Sequence, residues 1–368
     1  MLAMKYQLNI IFLCLFTCIC YSQVIPEPKI KFSPRHYICY RTDMELNIDG
    51  KLDEAIWQKA AWTELFADIE GEIKPLPRLK TRAKMLWDDK FLYIAAELED
   101  PDLWATLKQK DTFIYNDNAF EVFIDPDGDT QNYYEFEINA FNTVWDLLLT
   151  KPYRMGGISV SAWDIRGLKT AVDIQGTINN PEDKDKGWTV EIAFPLKVLM
   201  QCAAHRGLPE NGEQWRLNFS RVEWSLEISG KTYIKKRDSL SQKDLFPDYW
   251  MWSPHGVIDT HYPEMWGYLQ FSGNTAGTKE DSIIRKPEEY AAWVLRQIFY
   301  KEKAYYSEHG RYTADLKELN FETQNIPGYL WPAVIEVTSD LIEISVISSD
   351  KKNKLYILYD GKIREKTI

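Results

Sequence analysis

An antiparallel two-sheet β-sandwich followed by a small α+β unit is the fold this sequence predicts, and three observations predict it. From about Tyr37 to Phe271, short alternating or apolar runs are broken by Gly, Pro, Asp and Asn, with few helical stretches. Twelve of the fourteen tryptophans lie between Trp57 and Trp266, where bulky rings suit a large sandwich core. Beyond residue 286 the apolar period changes from strand-like to helical. A chain of 368 residues has room for two such cores.

The elements follow in order. Arg82–Trp87 reads as a strand, Asp88-Asp89-Lys90 as a turn, and Phe91–Leu98 as the returning strand. Ala119–Asp125 and Tyr133–Ala140 form a second pair around Asp125-Pro-Asp-Gly-Asp129. Trp188–Pro195, Gln214–Trp224 and Trp266–Phe271 complete the pattern. Residues 274–286 are polar, with Gly, Thr and acids, and read as a linker. Pro287 suits a first helical turn, and Tyr290, Trp293, Val294, Ile298 and Tyr305 form an amphipathic stripe that ends at His309-Gly310. A short second helix is expected over Ala314–Leu319, then strands at Ile342–Val346 and Leu355–Tyr359. The division is 1–22 signal peptide, 23–36 leader, 37–273 sandwich, 274–286 linker and 287–368 α+β unit.

The formal net charge of −11 speaks against nucleic acid, which needs clustered Lys and Arg, and suits a neutral ligand or a cation such as calcium. Lys5, the apolar stretch Leu8–Ile19 and Cys20-Tyr21-Ser22 make a signal peptide cleaved after Ser22. The apolar run is short for a membrane anchor, and the residues before Cys18 and Cys20 lack the small residue of a lipoprotein signal. The expected product is exported, to the periplasm, the cell surface or the medium, with no membrane span. Cys39 and Cys202 then remain, too few for a disulfide framework or a zinc site; one bridge and two unpaired buried thiols are both open.

The sharpest motif is Ile48-Asp-Gly-Lys-Leu-Asp-Glu-Ala-Ile-Trp-Gln-Lys-Ala60. Asp49-Gly50 makes a turn, Asp53 caps a short helix, and Trp57 points inward to plug one end of the sandwich. In order follow Leu86-Trp-Asp-Asp-Lys-Phe-Leu-Tyr93, Asn116-Asp-Asn-Ala-Phe-Glu-Val-Phe-Ile-Asp125, Gly187-Trp-Thr-Val-Glu-Ile-Ala-Phe-Pro195, Trp215-Arg-Leu-Asn-Phe-Ser-Arg221 and Trp266-Gly-Tyr-Leu-Gln-Phe271. Over Tyr37–Ser272 this series resembles the family 9 carbohydrate-binding modules. The resemblance implies an immunoglobulin-like or jelly-roll-like sandwich whose relatives bind sugars and accompany glycoside hydrolases. It also implies structural calcium as a possible cofactor. The C-terminal unit is similar in shape to the headpiece of type IV pilin-like proteins.

In the sugar-binding modules two tryptophans clamp a terminal sugar. By the resemblance one would fall near Ile114, where Tyr115 stands beside Asn116. The other would fall near Thr260, with His261 and Tyr262 close by. Glu121 and Asn139 match polar positions of the modules, and their partner Arg falls at Glu137, a charge reversal. The residues themselves add Asn142, Trp145, Arg221 and Trp252, because pyranoses need a flat apolar face ringed by planar hydrogen-bonding groups. The candidate carbohydrate-binding set is therefore Tyr115, Asn116, Glu121, Asn139, Asn142, Trp145, Arg221, Trp252 and His261. Asp125-Pro-Asp127-Gly128-Asp129 reads as a hairpin turn, since its Gly and the residue at position twelve do not fit an EF-hand.

The functional expectation is an exported, non-catalytic module that binds oligo- or polysaccharide in support of polysaccharide catabolism. The rival readings are a glycoside hydrolase, with Glu121, Glu135, Glu137 and Glu223 eligible, an adhesion or structural protein that has lost sugar binding, and a haem domain needing axial His or Met. No Gly-x-Ser-x-Gly elbow occurs, which argues against a serine hydrolase.

Overall fold

The computed structural model describes residues 25–368, so the signal peptide expected at 1–22 falls outside the described residues. The main strands are β1 (His36–Arg41), β2 (Thr81–Trp87), β3 (Phe91–Glu99), β4 (Ala119–Asp125), β5 (Tyr133–Asn139), β6 (Val144–Leu149), β7 (Lys169–Gln175), β8 (Gly187–Pro195), β9 (Gln214–Glu223), β10 (Asp248–Met251) and β11 (Gly267–Thr275). They belong to one folded-over sheet in the order β6-β5-β4-β9-β11-β1-β2-β3-β8-β7, with β10 also paired to β9. Pairing is antiparallel except at β1, which runs parallel to both β11 and β2. That strand and its pairing were not visible in the sequence.

Alternation along each strand builds the core. Phe120, Val122 and Ile124 of β4, Tyr134, Phe136 and Ile138 of β5, and Leu217 and Phe219 of β9 face Met85, Trp87, Ile94, Val190, Ile192 and Phe194 across the sandwich. The other face of each layer is covered too. Trp57 does not plug an end of the sandwich: it lies against the outer face of β2, β3 and β8, with Leu86, Tyr93, Ala95 and Ala193. Its indole donates to Glu191 Oε1 at 2.9 Å, while Glu191 Oε2 accepts from the backbone of Asp49 and Gly50 at 3.0 and 3.1 Å. Gly50 sits at φ +85°, and a Cβ there would meet the Asp173 backbone at 2.6 Å, so the turn demands glycine. The helix expected after Asp53 is a run of turns.

Helix α1 (Pro287–His309) starts with proline and stops at Gly310, whose φ of +68° closes the C-terminus. It packs on a four-stranded antiparallel sheet, β12 (Val334–Val337), β13 (Ile342–Ile347), β14 (Asn353–Leu358) and β15 (Ile363–Thr367). Ala314–Leu319 forms turns, not the expected second helix. The α1 core of Val294, Leu295, Ile298 and Phe299 takes in Ile25, Val257, Tyr262 and Met265 from the leader and the last sandwich loop. Thus the two units share one apolar cluster. Asn274 and Thr275 belong to β11, and the rest of the expected linker is tied down. Gln270 donates to Ser282 O at 2.9 Å, and the Asp281 amide donates to Tyr40 Oη at 2.8 Å. Cys39 and Cys202 are unbridged.

Candidate functional site

The outer face of the β6-β5-β4-β9-β10 layer carries one continuous row. Trp145 stands opposite Glu137, Glu137 opposite Glu121, Glu121 opposite Ser220, and Ser220 opposite Met251. Glu135 lies in the next row, opposite Phe123 and Leu147. This follows from parity: Glu121, Glu135 and Glu137 fall on the face opposite to the sandwich core. All three glutamates are buried. Around them gather Tyr115, from the 3₁₀ turn Ile114–Asn116, and Tyr153, from the turn Tyr153–Met155. Tyr249 of β10 and His261 of the last loop complete the wall. Phe113, 55% exposed, packs edge-on to Trp145 with centroids 5.1 Å apart, and Tyr153 packs edge-on to His261 at 4.7 Å.

Three acids in one dry patch oppose one another's ionisation. Burial pushes the Glu121 carboxyl up to about 7. Burial, then the Glu121 charge, raises Glu135 and Glu137 well above the ordinary carboxylate range. Glu137 Oε2 accepts the Tyr115 amide at 2.8 Å. His261 Nδ1 bonds the Tyr133 hydroxyl at 3.0 Å, and its Nε2 is 3.9 Å from Glu135. Burial, then Arg154, lowers the imidazole to about 3, so it is neutral and does not offset the acids. Glu121 Oε2 and the Trp145 indole nitrogen are buried without a hydrogen-bond partner.

Tyr115, Glu121, Trp145 and His261 therefore meet on this face. Asn139 shares it, but its amide is committed internally: Nδ2 donates to Leu107 O and Asp117 Oδ2 at 2.8 and 2.9 Å, and Oδ1 accepts from Phe141 and Thr143. Asn116 is exposed at the rim. Asn142 is exposed at the tip of the β5–β6 hairpin, where it reaches Thr170 O at 3.4 Å. Arg221 and Trp252 lie on the opposite side of the sheet. Arg221 pairs with Glu223 at 2.8 Å, and the Trp252 ring is buried on Phe219 with its nitrogen on Glu64 at 3.0 Å. Sequence reasoning left Glu135, Glu137, Tyr153 and Tyr249 out of the binding set. The signal for the first two was Tyr133-x-Glu135-x-Glu137-x-Asn139, polar alternation on a strand buried on both faces.

Two other acid clusters bring carboxylates within 4.8 Å of one another among the described residues: Asp111/Asp146/Asp164 and Asp125/Asp127/Asp129. Each already holds an ammonium. Lys110 pairs with all three acids of the first, and Lys362 pairs with Asp129 of the second. Asp125 also accepts the Gly128 and Thr130 amides at 3.1 and 2.9 Å, as a hairpin turn requires. As they stand these acids are engaged by an ammonium or by backbone amides, and a calcium ion, whose six to eight oxygen ligands include carbonyls and waters, would have to displace the ammonium.

Residues 48–220 match the family model described as Carbohydrate family 9 binding domain-like. Endo-1,4-beta-xylanase C of Paenibacillus barcinonensis is 32% identical over 119 residues, 32% of this chain and 10% of that protein. Exoglucanase XynX of Acetivibrio thermocellus is 31% identical over 148 residues, 40% of this chain and 11% of that protein. The chain thus spans about a tenth of the length of the curated relatives it matches. Among solved structures, a putative carbohydrate-binding protein from Bacteroides uniformis ATCC 8492 aligns with a TM-score of 0.46 and 17% identity, over 65% of this chain and 100% of that one. A carbohydrate binding module family 9 from Caldicellulosiruptor kristjanssonii, in complex with cellotriose, aligns with a TM-score of 0.42 and 15% identity, over 68% and 100%. Over residues 48–220 this chain is thus similar to the carbohydrate family 9 binding domain-like family.

Proposed function

We propose that this chain is an exported, non-catalytic carbohydrate-binding protein, and that its ligand lies on the outer face of β4 and β5 beneath Tyr115, Tyr153 and Tyr249. One observation carries the reading. Glu121 Oε2 and the Trp145 indole nitrogen are buried without partners in a single row, beside part-exposed aromatic rings. A buried polar atom left unpaired costs about 1–3 kcal/mol, a cost that sugar hydroxyls would relieve. A pyranose also offers CH faces to the rings. The match over residues 48–220, and the segments shared with proteins named as xylanases and an exoglucanase, support a role alongside polysaccharide breakdown. No helix among the described residues is long and apolar enough to cross a membrane.

The test is a glycan array on residues 23–368, followed by calorimetry on the best oligosaccharide. Tyr115→Ala and Tyr153→Ala proteins that still fold should each bind more weakly by about 1–3 kcal/mol, the worth of one well-buried ring. Failure of every glycan to bind, or unchanged affinity in both variants, would reject this site. Sustained release of reducing sugar from a polysaccharide would replace the binding reading with hydrolysis.

A further inference from the structure

Most other buried acids of this chain are held by several hydrogen-bond donors, as Asp117, Asp125, Asp185 and Glu191 are, or by a resident cation. Asp146 has Lys110, Asp129 has Lys362, Asp100 and Glu223 have Arg221, and Glu264 has Arg154 and Arg296. Glu121, Glu135 and Glu137 form a contiguous group with less: among the described residues no Lys or Arg ion pair reaches any of them, Glu121 Oε2 has no hydrogen-bond partner, and the one base at Glu135 is the neutral His261. Arg154, the buried guanidinium that donates to His261 O, is held by Glu264 at 2.7 and 2.8 Å. The remaining titratable groups that face the trio are phenols: Tyr115, Tyr133, Tyr153 and Tyr249. Such a phenol supplies a π-face and no positive charge.

Two like-charged side chains directly opposite each other across a strand pair are unfavourable, and Glu121 faces Glu137 in this way. A face that keeps three acids, an unpartnered carboxylate oxygen and an aromatic wall is built for a cation that arrives with the ligand. The trio is not among the described groups whose oxygens all lie within 4.8 Å of one another, so it does not close on a single metal ion. A larger, hydrogen-bonding cation spans it better. Resting on the sugar-binding reading above, we infer that the sugar taken by this face carries a free ammonium group: the ligand class is an amino sugar, its ammonium set among Glu121, Glu137 and Glu135 and its ring against Tyr115 and Tyr153.

Binding such a cation stabilises the ionised carboxylates, so the empty site releases protons when it fills. Calorimetry on the folded residues 23–368 would compare glucosamine oligomers, their N-acetylated counterparts, cello-oligosaccharides and calcium chloride, each in two buffers of different ionisation enthalpy. The glucosamine oligomer should bind at least about tenfold more tightly than its N-acetylated form and release protons, and Glu121→Gln or Glu137→Gln should remove that preference. Neutral oligomers bound as tightly, or a preference that survives both substitutions, would overturn the ammonium and leave the sugar site standing. Binding by no oligosaccharide would sink both readings. Calcium binding that Glu121→Gln abolishes, with no amino-sugar preference, would assign the charge to a metal instead. Thermal melts of the variants separate lost binding from lost fold, and proton release by the unmodified protein tests the inference without any variant.

Discussion

Glu264 is the keystone between the sandwich and the C-terminal unit, and Glu264→Gln measures its worth. Arg154 grips both carboxylate oxygens, at 2.7 and 2.8 Å, Arg296 Nε lies 3.9 Å away, and the Tyr300 hydroxyl donates to Oε1. Burial alone would push this carboxyl up; Arg154 and Arg296 outweigh it and hold it at about 2 instead of 4.5. That difference is worth roughly 3 kcal/mol at neutral pH. Glutamine keeps the shape but leaves two buried guanidinium groups without a counter-charge, and breaking a buried pair costs about 3–5 kcal/mol. Urea unfolding followed by tryptophan fluorescence should therefore show a loss of at least about 3 kcal/mol at pH 7. The sign with pH follows from the depressed value. The stabilisation is complete above about 4.5 and fades as the pH falls toward 2, so the two proteins should converge in acid. A variant within about 0.5 kcal/mol of the parent at pH 7 would refute the reasoning. So would a gap that stays constant down to pH 2.

Glu121→Gln should act oppositely on stability. Its folded value of about 7 lies above the ordinary 4.5, so stability falls as pH rises between them, and glutamine should raise the melting temperature at pH 8 but not at pH 4. The gain at pH 8 is on the order of 2–3 kcal/mol, and no difference between the two pH values would count against a buried, uncompensated trio. Glu191→Ala strips the partner from the Trp57 indole and from the Asp49 and Gly50 amides, and should cost about 3 kcal/mol in the same urea experiment. Thiol titration of native protein should find Cys202 reacting slowly and Cys39 only after denaturation, because Cys39 is fully buried; a single disulfide on a non-reducing peptide map would contradict this.

The paired strands were legible because period-two alternation and Asp/Gly turns leave a direct trace: Arg82–Trp87, Phe91–Leu98 and Ala119–Asp125 match the observed β2, β3 and β4 closely. β1 was not, since His36–Arg41 is short and its parallel partners, β11 and β2, are set by long-range packing. Trp57 was read as buried, and it is; which face it covers depends on Glu191, more than a hundred residues away. At the site, parity put Glu121 with Glu137 and Asn139 on one face. Parity cannot say which polar group is already spent, and Asn139 is spent on Asp117 and Leu107. Arg221 and Trp252 carried the right chemistry for sugars, but one residue of register turns each to the core side. Tyr153 and Tyr249 come from loop and edge positions whose approach is fixed only by the tertiary fold.

The most direct test of the account is a crystal structure of residues 23–368 with the tightest-binding oligosaccharide from the array. A sugar ring should lie within hydrogen-bonding distance of Glu121 and Glu137, with one face on Tyr115 or Tyr153. A rival groove of about 590 Å³ lies on the other layer, beside Trp62, Arg82, Glu97 and Trp188. Sugar bound there, with the glutamate face empty, would contradict the central claim.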